Sequence, residues 1–135
     1  MSRYLGILII GAGFIFLSSF LPYQESELSK SMARGKEVYT ELCITCHLAD
    51  GKGMEGAFPP LAKSDYLLKN PEKAIHAIKY GQEGEITVNG ETYNNIMPAP
   101  GLSDQEVADV MNYILNSWGN KGKLVTLKAV EAVKE

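Results

Sequence analysis

Cys43, Cys46 and His47, in the order C-x-x-C-H, have the residue types and the spacing to do chemistry together. Two thiols about one helical turn apart can form thioethers with the two vinyl groups of a haem, while the adjacent imidazole projects towards the iron. Covalent capture of this kind lets a small domain keep its cofactor. The competing uses fit less well. A redox-active C-x-x-C pair wants a strand before it and a thioredoxin-like pattern around it. A closed zinc site needs four ligands, and the soft candidates are only Cys43, Cys46, His47 and His76, with His47 directly beside Cys46. Two cysteines also cannot build a disulfide scaffold.

An iron held by His47 needs a donor on its other side, and the candidates are Met32, Met54, Met97, Met111 and His76. Spacing selects Met97, which lies in a non-helical stretch just before Pro98, far enough beyond His47 for the chain to wrap around a porphyrin. Met111 belongs to an apolar helical stripe and Met32 to the helix that leads into the cysteines, so both read as packing residues. Met54 follows His47 too closely to reach the opposite face. His76, between two apolar helical positions, stays open as an alternative, as does an unfilled position. The second ring N–H of His47 needs an acceptor to fix its orientation. The carbonyl of Pro59, in the constrained Pro59, Pro60, Leu61 loop, is the candidate, with the Leu61 side chain laid against the haem.

These residues must be positioned by the elements around them. Met32, Gly35, Val38, Tyr39 and Leu42 share one face of a helix expected over Ser29 to Leu42. Gly35 there costs roughly 1 kcal/mol against Ala, which suggests that another backbone approaches closely. Residues 50 to 60 read as a loop, with three glycines and two prolines. A short helix over Ser64 to Leu68 precedes a second, opened by Asn70, Pro71 and Glu72 and closed at Gly81. Ile86 to Tyr93, around Asn89 and Gly90, reads as a hairpin or extended loop. Ser103 and Glu106 have capping-box spacing before the strongest helix, whose stripe runs from Val107 through Val110, Met111, Ile114 and Leu115 to Trp118 and ends at Gly119. Leu127, Val130 and Val133 suggest a short surface helix in the tail.

From about Met32 to Asn120 the chain resembles a class I cytochrome c. The likeness is carried by the Gly35 and Tyr39 helix running into Cys43, Cys46 and His47, the FPPLA stretch from Phe58, the YNNIMP stretch ending in Met97 and Pro98, and the long final helix. It implies an all-α fold of three to five helices around one haem c bound covalently through Cys43 and Cys46. The first and last helices would cross, with Gly35 and Tyr39 against the Val110 and Tyr113 region, and the haem would sit between His47 and Met97. The segment from Ile86 to Ile114 is similar to single-haem domains of bacterial respiratory oxidoreductases, including domains fused to copper nitrite reductases. That likeness implies electron delivery in an exported compartment.

The composition is that of an ordinary globular chain: 135 residues, 45% hydrophobic and 21% charged. Thirteen basic residues stand against sixteen acidic ones with no run of five like charges, which argues against a nucleic-acid-binding surface. Leu5 to Leu21 carries no charge and follows Arg3. As a helix it would be roughly 26 Å long, just enough to cross a ~30 Å hydrocarbon core if Tyr4 and Tyr23 sit at the interfaces. Its small-x-small cleavage site, Leu17 and Ser19 before Phe20, is poor, so an uncleaved anchor is preferred to a cleaved signal. The expected organisation is an anchor or signal over 1–21, a linker over 22–29, a haem domain over 30–120 and a C-terminal extension over 121–135. The part beyond residue 21 has a net charge of −4 and is expected on the periplasmic face of the cytoplasmic membrane, or in the soluble periplasm after cleavage.

The expected function is electron transfer rather than enzymatic catalysis, with redox proteins as donor and acceptor, the membrane as partner through the apolar segment, and neither nucleic acid nor a small-molecule substrate. One alternative is a permanent haem c subunit of a membrane oxidoreductase complex. A less favoured one is an open-site sensor or peroxidase, for which no second histidine or arginine motif is evident.

Overall fold

The computed structural model describes residues 26–135. The apolar stretch Leu5 to Leu21 and the first part of the expected linker lie outside the described residues. Among the described residues no helix is long and apolar enough to cross a membrane.

Helix α1 (Glu27–Leu42) starts earlier than the expected Ser29, inside the stretch read as linker, because Ser26 caps it. The Ser26 hydroxyl accepts from the Ser29 backbone N–H at 3.1 Å, satisfying one of the orphan donors of the first turn. Cys43 closes α1, and a single further turn, α2 (Ile44–His47), carries the rest of the C-x-x-C-H stretch. Helix α3 (Asp65–Lys69) is capped by the Ser64 hydroxyl, and α4 (Pro71–Tyr80) has its proline at the first position, where no N–H is needed. Strands β1 (Ile86–Val88) and β2 (Glu91–Tyr93) pair antiparallel across Asn89 and Gly90, both at positive φ as a type I′ turn requires. Helix α5 (Asp104–Leu115) opens with the Ser103–Glu106 capping box, and α6 (Leu127–Ala132) lies in the C-terminal extension.

The fold is mostly helical, with six helices among the described residues instead of the expected three to five, since the C-x-x-C-H turn and the extension each form one. Helix α1 packs chiefly against α5. A Cβ built on Gly35 would run into the Asp109 carbonyl and the Val110 nitrogen, so the absent side chain is what lets the two backbones touch. Tyr39 lies against Tyr113 with ring centroids 5.4 Å apart. An ionic cluster with a buried carboxylate and a half-exposed guanidinium reinforces this crossing. Asp109, only 2% exposed, accepts from Ser31 Oγ at 2.6 Å and from the Arg34 guanidinium at 2.6 and 2.7 Å.

Two expectations are corrected. Helix α5 stops at Leu115, short of Trp118, whose φ is +53°. The left-handed turn costs about 1–3 kcal/mol for such a residue, and it swings the indole over Gly51, where Nε1 donates to the Ala49 carbonyl at 3.0 Å. The tail helix is not merely a surface helix either. Val130 is fully buried in the core, and Lys79 Nζ donates to the carbonyls of Val130 and Val133 at 3.1 and 3.2 Å while pairing with Asp104 at 2.9 Å.

Candidate haem site

The turn from Cys43 to His47 is tightly wound. The backbone N–H groups of Cys46 and His47 both donate to the Cys43 carbonyl, at 3.2 and 3.0 Å, which places the two sulfurs and the imidazole on one short surface. Leu48 then leaves the helix at a φ of +63°, and its carbonyl accepts from the buried Tyr39 hydroxyl at 2.7 Å. The residue after the imidazole is thereby tied to α1.

His47 is 9% exposed, and its Nδ1 lies 3.0 Å from the Pro59 carbonyl. That contact leaves Nε2 as the nitrogen free for a ligand. Burial holds the imidazole below its ordinary pKa, outweighing the opposite pull of the Pro59 bond, so the ring is neutral and able to donate a lone pair. The proline loop reaches His47 because Gly53 lacks a side chain: a Cβ there would strike the Phe58 and Pro59 carbonyls. Met54 and Phe58 exchange both backbone hydrogen bonds at 2.8 Å, closing the loop on itself. The Leu61 carbonyl accepts from Asn120 Nδ2 at 2.9 Å, which joins this loop to the chain beyond α5.

Cys43 and Cys46 are free thiols. Burial first, and then the neighbouring Cys46, push the Cys43 thiol up to about 11. A protonated, apolar-walled thiol is unlike the low-pKa thiolate of a redox-active C-x-x-C pair.

One cavity is lined by Cys43, Cys46, His47, Pro59, Leu61 and Met97 together. Tyr39, Leu67, Ile78, Val110 and Ile114 form its floor, with α1, α4 and α5 all contributing apolar side chains. Met97 is held at this cavity by an isolated bridge: its N–H and carbonyl exchange hydrogen bonds with Gln82, both 2.9 Å. Gly81, at φ +91°, makes room, since a Cβ would meet the Met97 carbonyl.

The other candidate donors lie elsewhere. Met111 is fully buried in the core, Met54 is 53% exposed, and neither they nor Met32 line the cavity. His76 faces a separate hollow of about 430 Å³ beside Tyr66, Glu72 and the extension, with its ring against Tyr80. That hollow gathers no thiols.

The donor set fits a flat, apolar macrocycle. Two thiols, a neutral imidazole with one nitrogen to spare and a thioether line the same cavity, and the rest of the lining is almost wholly apolar. Sequence reasoning missed Gln82 and Asn95, both on the cavity wall, and Asn120 behind it. Their types, common in loops, carry no signal without the geometry.

The family described as cytochrome c matches residues 32–118. Cytochrome c-552 of Thermus thermophilus is 37% identical over 110 residues, covering 78% of this chain and 74% of the relative. The cytochrome c subunit of the quinone alcohol dehydrogenase of Gluconacetobacter polyoxogenes is 36% identical over 91 residues, covering 64% of this chain and 19% of that subunit. The gluconate 2-dehydrogenase cytochrome c subunit of Pantoea cypripedii is 33% identical over 124 residues, covering 83% of this chain and 28% of the relative.

Proposed function

The chain belongs to the cytochrome c family, whose haem c is covalently bound, and from that premise we propose that it passes single electrons between redox proteins with His47 and Met97 as the axial pair. The observation that carries the reading is that Cys43, Cys46, His47 and Met97 all line one apolar cavity. Haem c supplies the ferric–ferrous couple when bound. The protein's own residues do the rest.

The Pro59 carbonyl accepts the Nδ1 proton of His47, fixing the tautomer so that Nε2 is presented. The bridge to Gln82 holds Met97 so that its thioether is offered to the opposite side, where a soft donor favours the reduced state. Leu67, Val110 and Ile114 exclude water from the floor, which acts in the same direction. Were His47 and Met97 both to hold the iron, no position would be left there for a small molecule to react.

On the cavity's lining, Ile96 is 67% exposed. An exposed apolar side chain of this sort suits a brief contact with a redox partner, through an interface under ~1,200 Å². The apolar stretch Leu5 to Leu21 would hold the protein at the outer side of the cytoplasmic membrane. A permanent place in a dehydrogenase complex is the second reading, favoured by the likeness to the two dehydrogenase cytochrome subunits. Detergent-extracted protein running as a monomer would count against it.

The test is the visible spectrum of the holoprotein, oxidised and reduced, with and without carbon monoxide. A low-spin spectrum with the ferric methionine-to-iron band, unmoved by carbon monoxide, is the expected result. A high-spin spectrum that shifts with carbon monoxide would overturn the reading in favour of an open site.

A further inference from the structure

The methionine loop, residues 94–101, has no regular structure of its own and is fastened on two sides. One fastening is the backbone bridge between Met97 and Gln82. The other is a side chain: Asn95 Nδ2 donates to the Ala57 carbonyl at 2.9 Å. Among the described residues this is the one hydrogen bond that crosses from the methionine loop to the proline loop, residues 48–63. Asn95 stands two residues before Met97, and Ala57 two residues before Pro59, whose carbonyl meets His47. Both residues line the cavity, so the bond spans its mouth.

We propose that Asn95 is a positioning residue: its amide latches the methionine loop against the proline loop and so limits how often Met97 swings away from its place opposite His47. The inference rests on the reading of Met97 as the second axial donor. An amide suits the task because the acceptor is a carbonyl, which needs an N–H. A carboxylate in the same place would set oxygen against oxygen. Asn95 is exposed, so water competes for its partner. Losing such a bond changes an opening equilibrium by roughly two- to tenfold, enough to show in ligand access while the fold survives.

The test compares holoprotein carrying Asn95→Asp with wild type and with Ser31→Ala, which removes a bond at the distant α1–α5 crossing. Asn95→Asp is expected to bind carbon monoxide in the ferrous state roughly two- to tenfold more readily, and to lose its ferric methionine-to-iron band at a lower temperature. Ser31→Ala should lower global stability and leave carbon monoxide binding where it is in wild type. If Asn95→Asp does not retain haem, Asn95→Ala removes the bond without adding charge and carries the same comparison. A variant indistinguishable from wild type in both readouts would overturn the latch and leave the axial assignment standing. Wild type that lacks the methionine band would instead overturn the assignment on which the latch rests.

Discussion

Gly35 of α1 and Asp109 of α5 touch backbone to backbone, and the Asp109 carboxylate reaches back across the same contact to bond Ser31 and Arg34. One residue of α5 therefore meets α1 through both its main chain and its side chain. Substituting Gly35→Ala would add a methyl group where the Asp109 carbonyl already stands. Ala gains about 1 kcal/mol over Gly in helix propensity, but neither backbone can yield without parting the helices. The expected cost is at the upper end of the ~1–3 kcal/mol typical of overpacking, read from guanidinium unfolding of the holoprotein.

The carboxylate gives the crossing a dependence on pH. Burial pulls the Asp109 pKa upward, yet the hydrogen bonds from Arg34 and Ser31 and the charge of Arg34 outweigh it, and the group sits below its ordinary value of 3.8. A depressed carboxylate contributes stability that is whole above that ordinary value and is lost as pH falls through the lowered one. Asp109→Asn should therefore be less stable than wild type by about 1–3 kcal/mol at pH 7, with the gap narrowing below about pH 4. Thermal unfolding across pH 2 to 7 checks this, and a gap that stays constant would refute it.

Met97→Ala is expected to leave the haem attached, because Cys43 and Cys46 would still hold it, and to admit carbon monoxide to the iron. The potential should fall by on the order of 0.1 V, a modest part of the range that axial ligands control. Redox titration beside a carbon monoxide difference spectrum measures both, and an unchanged potential would remove Met97 from the axial pair.

Val130→Ala takes two methyl groups from a fully buried position in the extension and should cost roughly 2 kcal/mol. Its more telling effect is local. With Val130 loosened, the carbonyls that Lys79 grips come free, and limited proteolysis should cut within residues 121–135 sooner than in wild type. Equal cutting rates would show that the extension is held by other contacts.

Much of the cavity's wall was legible because its chemistry is written in adjacent residues. Cys43, Cys46 and His47 lie within five positions, and Met97 stands before a proline in a stretch with no helical period. Gly35 was legible as a cost with no local return, which the Asp109 backbone explains. Asp109 itself was not, because an acidic residue on a helix usually faces water, and its partners Ser31 and Arg34 are 75 or more positions away. Trp118 extended the apolar period of α5 by one more step, and hydrophobic period cannot reveal a left-handed residue that turns the chain aside. Lys79 carries no signal in the sequence, because the tail carbonyls that it serves become its neighbours only when the chain has folded. Asn95 and Gln82 act through a backbone carbonyl and a main-chain bridge, and neither leaves any mark in residue type.

The crossing of α1 and α5 also imposes an order in time. The contacts that lock it join residues 75 to 81 positions apart, so a long loop must close before any of them forms, and loop closure of this kind slows folding. The turn bearing Cys43, Cys46 and His47 follows α1 directly and emerges from synthesis well before α5 exists. In a chain that folds in that order, the thiols stay reachable until α5 docks and closes the floor of the cavity.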